Sequence, residues 1–223
     1  MSINAWVDQG DEINGNGNFF ADTMVEIDAS ANTLLAGIMV FSGGGTGSNS
    51  GAAGLPPAYA EKYESGSWTN KPLLFNEQGT SNLDDPAGDG GAISEDGNII
   101  VVGEPAFDNS SNSPHADAEG RISLFRYDST SGSYKGLNGT DASGTVILAP
   151  TDASNQRFGK TVAFSRDTSG VSPNPIVPSV LVVGEPNLVG NTSKNGGKVY
   201  TYQWGTSAAN AYSLISALTL DGS

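Results

Sequence analysis

The chain has 223 residues, with 24 Asp or Glu and 10 Lys or Arg, so its formal net charge is −14 at pH 7. Such an acidic surface repels nucleic acids and anionic membranes, and the absence of cysteine excludes disulfides and thiolate metal sites. The 30 glycines and the apolar fraction of 37% are typical of short strands joined by many turns.

The beginning of the chain carries no recognisable targeting segment. The stretch 1–13 has neither the basic region nor the apolar region of a secretory signal. Elsewhere, no apolar run approaches the roughly 20 residues that a membrane span needs. We therefore expect neither a cleaved signal nor membrane insertion.

The first of three similar segments spans residues 14–76. Stretches 20–28 and 32–37 predict two strands joined by a tight turn, and 58–63 predicts a third strand after a long polar loop. A fourth, outer strand is predicted around Trp68. This order of four strands recurs twice more along the chain.

The second segment spans residues 77–149. Its hairpin turn is Asp96-Gly97-Asn98, where glycine accepts the positive φ that such turns require. The apolar run 99–102 predicts a strand that is buried on both faces. The alternating stretch 121–127 predicts a half-exposed third strand, and Tyr134 marks the outer strand.

The third segment spans residues 150–223 and contains a longer connection, 168–178, in place of the short hairpin turn. Three prolines in this connection keep it off the sheet. The run 180–183 predicts another strand that is buried on both faces. Stretch 197–204 predicts the third strand, and Tyr212 marks the outer one.

The spacing of matched residues supports a true repeat. Gly103 follows Gly37 by 66 residues, and Tyr134 follows Trp68 by the same interval. A repeat of this length with four strands is typical of β-propeller blades. The sequence therefore predicts an all-β fold of three four-stranded antiparallel blades.

Three blades fall short of the roughly 4–8 that close a propeller ring. The sequence leaves three alternatives open: a fragment of a longer propeller, a ring completed by several chains, or a prism-like unit of three sheets. Unpaired sheet edges favour assembly, either with other copies or with a larger protein.

The third segment resembles an FG-GAP repeat of the integrin-α type of propeller. The resemblance rests on Phe158-Gly159-Lys160-Thr161-Val162-Ala163, Gly184-Glu185-Pro186 and Gly197-Lys198-Val199-Tyr200. The second segment keeps Gly103-Glu104-Pro105 but has Ala87-Gly88 in place of Phe-Gly, and the first keeps only the general pattern. Segment 1–13 resembles the outer strand that precedes such repeats in phage and bacterial surface proteins.

The resemblance implies an adhesive, ligand-binding or structural role, and some blades of the family bind calcium in hairpin loops. The corresponding stretches here are 28–32, 94–98 and 166–170. Each has too few carboxylates for the roughly 6–8 oxygen ligands of calcium. We therefore expect no cofactor, with calcium as the one ion to test.

Catalytic chemistry has little basis in this sequence. His115 is the single histidine and lies in a polar stretch, so no Ser-His-Asp arrangement is predicted. Glu104 and Glu185 occupy matched repeat positions, which indicates a shared structural role before a proline. We predict no catalytic residue and no enzymatic activity.

Two acidic clusters are candidates for a hard cation, although solvated loops are the favoured explanation for both. They consist of Asp84, Asp85 and Asp89, and of Asp117 and Glu119.

The long connections 41–56, 106–119 and 187–196 should lie on one face of the repeat array, which is often the binding face. Within and beside them, Phe107, Tyr59 and Leu188 are the predicted apolar contact residues.

These observations predict a non-enzymatic structural or binding protein of a virion, such as a capsid decoration or a tail or fibre component. Its expected partners are other virion or surface proteins, or further copies of itself. The alternative is an adhesive or glycan-binding module of a larger secreted bacterial surface protein, located outside the cell.

Overall fold

The computed structural model describes residues 19–39, 58–73, 90–105, 107, 119–137, 144–150, 157–166, 178–186, 196–205 and 211–220. The described residues form strands, turns and bridges but no helix. The predicted fold class is confirmed: the chain is all-β, with three antiparallel sheets that do not close into a barrel.

The first sheet, named blade 1, is a simple meander. Its strands are β1 (Phe19–Ile27), β2 (Thr33–Met39), β3 (Ala58–Glu64) and β4 (Ser67–Lys71). They pair in the order β1-β2-β3-β4, each antiparallel to its neighbour. This is the strand order that the sequence predicted.

Blades 2 and 3 repeat this meander. Blade 2 contains β5 (Gly91–Ile93), β6 (Ile99–Glu104), β7 (Arg121–Asp128), β8 (Ser133–Lys135) and β9 (Thr145–Leu148). Blade 3 contains β10 (Thr161–Phe164), β11 (Val180–Glu185), β12 (Gly197–Trp204) and β13 (Tyr212–Leu220). The first strand of blade 2, β5, lies beside the first strands of both other blades, β1 and β10.

Strand β9 was not predicted from the sequence. It pairs with the first half of β7, whereas β8 pairs with the second half. The two short strands thus share the outer position that one strand fills in the other blades. Thr145 Oγ1 accepts a hydrogen bond of 2.8 Å from the Leu137 amide and so ties the start of β9 to the end of β8.

The blades stack in chain order, with an apolar core on each side of blade 2. One core joins blades 1 and 2 around Leu35, Ile100 and Phe125. The other joins blades 2 and 3 around Val101, Leu124 and Leu181. Among the described residues, the middle blade contributes to both cores and the outer two blades share none, as in a series of propeller-like blades.

Two apolar runs that look alike in the sequence differ in their burial. Every residue of β6 is buried, as predicted for a strand between two neighbouring blades. In β11, by contrast, buried and half-buried residues alternate. The prediction that β11 is buried on both faces is wrong, because a neighbouring blade packs against only one side of blade 3 among the described residues.

The turn between the first and second strands uses the same backbone hydrogen bond in each blade. The amides of Asp28, Ser94 and Ser165 donate to the carbonyls of Thr33, Ile99 and Val180, over 2.9–3.0 Å. The side chain at the same position accepts from the backbone as well: the Asp28 carboxylate from the Thr33 amide, and the Ser94 and Ser165 hydroxyls from the amides of Ile99 and Val180.

A cross-strand aromatic pair marks the turn between the third and outer strands of every blade. The pairs are Tyr63–Trp68, Tyr127–Tyr134 and Trp204–Tyr212, with ring centroids 5.2–5.4 Å apart. In blades 2 and 3 the outer tyrosine also donates its hydroxyl, over 2.6 Å, to the carbonyl of Gly97 or Pro178. These bonds tie each outer strand to its own blade's inner hairpin.

Candidate functional site

Glu104 lies at the end of β6 in a site enclosed by its own blade. Its carboxylate accepts a hydrogen bond of 2.6 Å from the Arg121 guanidinium at one oxygen and one of 2.6 Å from the Ser123 hydroxyl at the other. All three side chains are buried, so both carboxylate oxygens are engaged inside the protein.

Glu185 occupies the matched position in blade 3 and has weaker partners. Tyr200 donates its hydroxyl to Oε2 over 2.9 Å, and Lys198 Nζ lies 3.8 Å from Oε1. Burial raises the pKa of the Glu185 carboxyl, partly opposed by the Tyr200 hydrogen bond and the Lys198 charge. The predicted shared structural role agrees with these contacts, since each carboxylate joins the second strand to the third.

The partners of these carboxylates were not predicted from the sequence, although the repeat contains a signal for them. Arg121 and Lys198 both follow a glycine at the start of the third strand, and register pairs them with Glu104 and Glu185. Ser123 and Tyr200, the two hydroxyl donors, stand two residues later in each strand. Aligning the third strands would have indicated a cation and a hydroxyl for each carboxylate.

Phe107 was predicted to be a surface contact residue, and this prediction is wrong. Its side chain is only 4% exposed, and the Arg121 guanidinium stacks over the ring with Cζ 3.9 Å from the centroid. The Phe107 amide donates to the Glu104 carbonyl, and its own carbonyl accepts from Gly120. Phe107 therefore covers the buried ion pair and is not available to a partner.

Tyr59 lies on β3, as the predicted third strand 58–63 required. It pairs with Ala36 and is half-buried. Leu188, the third predicted contact residue, lies outside the described residues.

Of the residues predicted as possible cation ligands, the structure describes only Glu119. Glu119 is buried beside the start of β7, and its backbone carbonyl accepts from the Phe158 amide over 2.9 Å. Asp84, Asp85, Asp89, Asp117 and His115 lie outside the described residues. Among the residues that are described, no three His, Asp or Glu side chains group closely enough to hold a metal ion.

The hairpin that resembles a calcium loop in blade 1 has its carboxylate engaged by the turn itself. Asp28 accepts the amides of Asn32 and Thr33 at one oxygen, over 2.7 and 3.0 Å, and the Ser30 hydroxyl at the other, over 2.8 Å. Asp28 therefore acts as a turn-forming side chain in this structure.

The junction between blades 2 and 3 is built from backbone packed on backbone. Gly159 has φ +90°, and a Cβ there would lie 2.6 Å from the Arg121 carbonyl oxygen. A Cβ at Gly103 would overlap the Gly159 carbonyl oxygen. The Phe158 ring beside this contact is fully buried, with edge-on packing against Tyr200 and Tyr202.

The three long connections leave the stack from one common end. The turns after β1, β5 and β10 lie at the opposite end, where Ala29 donates to the Glu95 carbonyl and Arg166 pairs with the Glu95 carboxylate. Each second strand runs away from these turns, and each third strand returns toward them. The connections 40–57, 105–120 and 186–196 therefore begin and end at the same side of the three blades.

Comparison with protein-family models and a search of curated proteins return no match. The described part of the chain has no helix that is long and apolar enough to cross a membrane. The resemblance to FG-GAP repeats accordingly stays a prediction that rests on the motifs of the sequence.

Proposed function

We propose that the chain is a non-enzymatic structural and binding protein that presents three inter-strand connections from one end of a stack of blades. The observation that carries this proposal is the common direction of β2, β6 and β11, which brings the ends of all three connections to one side. Binding residues are commonly found on loops that a rigid scaffold positions in this way.

The packing beneath these connections supports a scaffold role. The Glu104–Arg121 pair, the Phe107 ring above it and the glycine contact at Gly103 all lie where β6 ends and β7 begins. These groups are buried, and the Arg121 guanidinium donates to the Glu104 carboxylate inside the blade. They support the neighbouring backbone, and their chemistry does not require a substrate.

We place the protein on a virion, as a capsid decoration or a tail or fibre component, with other virion proteins as partners. The resemblance to repeats of phage and bacterial surface proteins supports this location. So does the net charge of −14, because acidic surfaces remain soluble at high local concentration and disfavour binding to nucleic acid.

The location is tested by quantitative mass spectrometry on fractions from the source culture. Gradient-purified virus particles, the cell-surface fraction and the cell-free medium are compared for peptides of this chain. We expect this chain to be present on the virus particles, in a ratio to the other particle proteins that is the same in every gradient fraction that contains particles. Enrichment at the cell surface, with none on particles, would instead favour the adhesive or glycan-binding module.

The role of the three connections in binding is tested by replacing most of each one with a Gly/Ser linker. The replaced ranges are 42–55, 108–118 and 187–195, which spares Phe107 and Glu119. We expect weaker binding to purified particles that lack the protein, with an unchanged thermal midpoint. The matched control is Thr130→Ala with Ser131→Ala, in an exposed turn at the opposite end of blade 2. Binding that survives all three replacements would contradict the assigned surface.

A further inference from the structure

Each internal junction of the stack joins two different faces. The face of a blade toward the preceding blade is named its leading face, and the face toward the following blade its trailing face. The leading faces of blades 2 and 3 are buried in the two cores. Their members are Ile100, Val102, Phe125 and Tyr134 in blade 2, and Leu181, Val183, Tyr200, Tyr202 and Tyr212 in blade 3.

Blade 1 has a leading face of the same design but no blade against it among the described residues. Register places Val25 beside Ala36 and Ile27 beside Leu34 on this side, whereas Leu35 faces blade 2. Val25 is 55% exposed and Ile27 is 53% exposed. The aromatic residues Tyr63 and Trp68 are only half-buried on this face. The residue of blade 2 that corresponds to Trp68 is Tyr134, which is fully buried against blade 1.

Blade 3 has the complementary open side, its trailing face. The matched positions in blade 2, Ile99, Val101, Ile122 and Leu124, are completely buried. In blade 3 the side chains at these positions are half-buried: Val180, Val182, Val199 and Thr201. On the adjoining edge strand, Leu218 pairs with Val199 and is 61% exposed.

Among the residues whose side chains the structure describes, the positions named on these two end faces carry no exposed charge. The exposed and half-buried side chains named on them are aliphatic, aromatic or hydroxylic, in a chain whose net charge is −14. Glu61 also lies on the blade 1 side, but it is buried and accepts a hydrogen bond from Asn70. At these described positions, two copies can therefore meet without bringing exposed carboxylates together.

We propose that a second copy of this chain completes the ring, with blade 3 of each copy packed on blade 1 of the other. Both internal junctions already join a trailing face to a leading face, and the two end faces are the remaining halves of that same interface. Two chains supply six blades, within the roughly 4–8 of closed propellers, whereas three chains would exceed it. Two equivalent junctions close the assembly around a two-fold axis. The inference rests on the fold alone and is independent of the proposed function.

The first test is the mass of the 223-residue chain by light scattering at micromolar concentration. We expect about twice the chain mass of 22.8 kDa, without larger species. A monomer would overturn the proposal and leave the end faces to further blades of a longer polypeptide. A trimer or an open-ended polymer would overturn it as well.

Single substitutions then test the two faces separately. Ile27→Lys on the leading face and Leu218→Glu on the trailing face should each halve the mass. Both positions are exposed in one chain, so the circular dichroism spectrum should stay unchanged. The matched control is Leu148→Lys, an exposed apolar position on blade 2 outside both end faces, which should remain dimeric.

Mixing the two monomeric variants distinguishes this junction from a symmetric face-to-face contact. One junction of the mixed pair is then free of substitutions. The other joins the leading face that carries Ile27→Lys to the trailing face that carries Leu218→Glu, and the two new charges have opposite signs. We expect the mixture to regain the double mass. If only one of the two substitutions disrupts the dimer, or if the mixture stays monomeric, the head-to-tail junction is wrong.

Discussion

Buried carboxylates at matched repeat positions have different surroundings in blades 2 and 3. Glu104 meets a guanidinium and a hydroxyl at 2.6 Å, whereas Glu185 has a tyrosine hydroxyl and a more distant, half-buried lysine. A buried charge that loses its partner is strongly destabilising, whereas a partner that reaches solvent contributes little. The two sites should therefore respond differently to the same substitution.

Arg121→Met is expected to lower the free energy of unfolding by about 3–5 kcal/mol, because it leaves the Glu104 carboxylate buried without its ion partner. The measurement is urea denaturation followed by circular dichroism. The matched control is Lys198→Met, which should cost about 1 kcal/mol or less because Lys198 is partly solvated. Equal losses at the two positions would contradict this assignment, and Glu104→Gln added to Arg121→Met should restore part of the loss.

The raised pKa of Glu185 predicts a dependence of stability on pH. The folded protein holds the proton to a higher pH than the unfolded chain, whose carboxyl has a pKa near its ordinary value of 4.5. The contribution of this group to the free energy of unfolding therefore falls as pH rises above that value. Glu185→Gln should show a smaller fall than the wild type when both are measured by urea denaturation across this range. Parallel profiles would show that Glu185 does not titrate in this way.

At the scale of the element, each blade repeats the same turn, strand register and aromatic pair. The close approach of blades 2 and 3, by contrast, depends on glycine. Gly159 and Gly66 have nearly the same backbone angle, with φ of +90° and +92°. A Cβ at Gly159 would meet the Arg121 carbonyl oxygen, whereas a Cβ at Gly66 would meet nothing within 4 Å. Comparing alanine substitutions at Gly159 and Gly66 therefore separates the effect of steric crowding from the effect of backbone strain.

Gly159→Ala is expected to destabilise the protein by about 1–3 kcal/mol more than Gly66→Ala, because only the former must push blades 2 and 3 apart. Both substitutions carry a similar penalty for the positive φ. Thermal unfolding by calorimetry gives the comparison directly. Similar losses for the two variants would indicate that the junction relaxes around the added methyl group.

Strand β9 illustrates what a repeat pattern misses at this scale. The pattern placed one outer strand at Tyr134 in blade 2, and the structure has β8 there, followed by β9 on the same partner. Ile147 of β9 and Leu218 of β13 pair with residues at matched positions, Ile122 and Val199. In blade 2, however, residues 136–144 separate this stretch from β8, so an outer strand located only by Tyr134 does not include it.

For the whole molecule, the position of a strand in the stack determines its protection. Strand β6 lies in the middle blade with every residue buried, whereas β13 is the outer strand of blade 3 and pairs only with β12 among the described strands. Backbone hydrogen exchange reports this difference, because amides open most readily where few neighbours cover them.

We expect peptides that cover 99–104 to exchange last in hydrogen–deuterium mass spectrometry, and peptides that cover 212–220 to exchange first among the strands. The outward amides of β13 face an unpaired edge among the described residues, and such edges are open to solvent or to a further strand. Protection of β13 equal to that of β6 would mean that another strand adds to this edge.

The sequence by itself determined most local elements: the four-strand order that all three repeats share, the glycine at the Asp96-Gly97-Asn98 turn, and the aromatic residues of the outer strands, but not β9. These features depend on side-chain alternation and turn chemistry, which act over a few neighbouring residues. For this reason the all-β fold with its three sheets could be predicted from one chain.

Only the tertiary structure decided which sides of those strands are covered. The runs at β6 and β11 are almost interchangeable in sequence, yet one lies between two blades and the other has a half-exposed side. Phe107 looked like a loop contact and is instead buried against the Arg121 guanidinium. Burial of this kind depends on which sheet lies opposite, and that neighbour comes from a distant part of the chain or, as we propose, from a second copy.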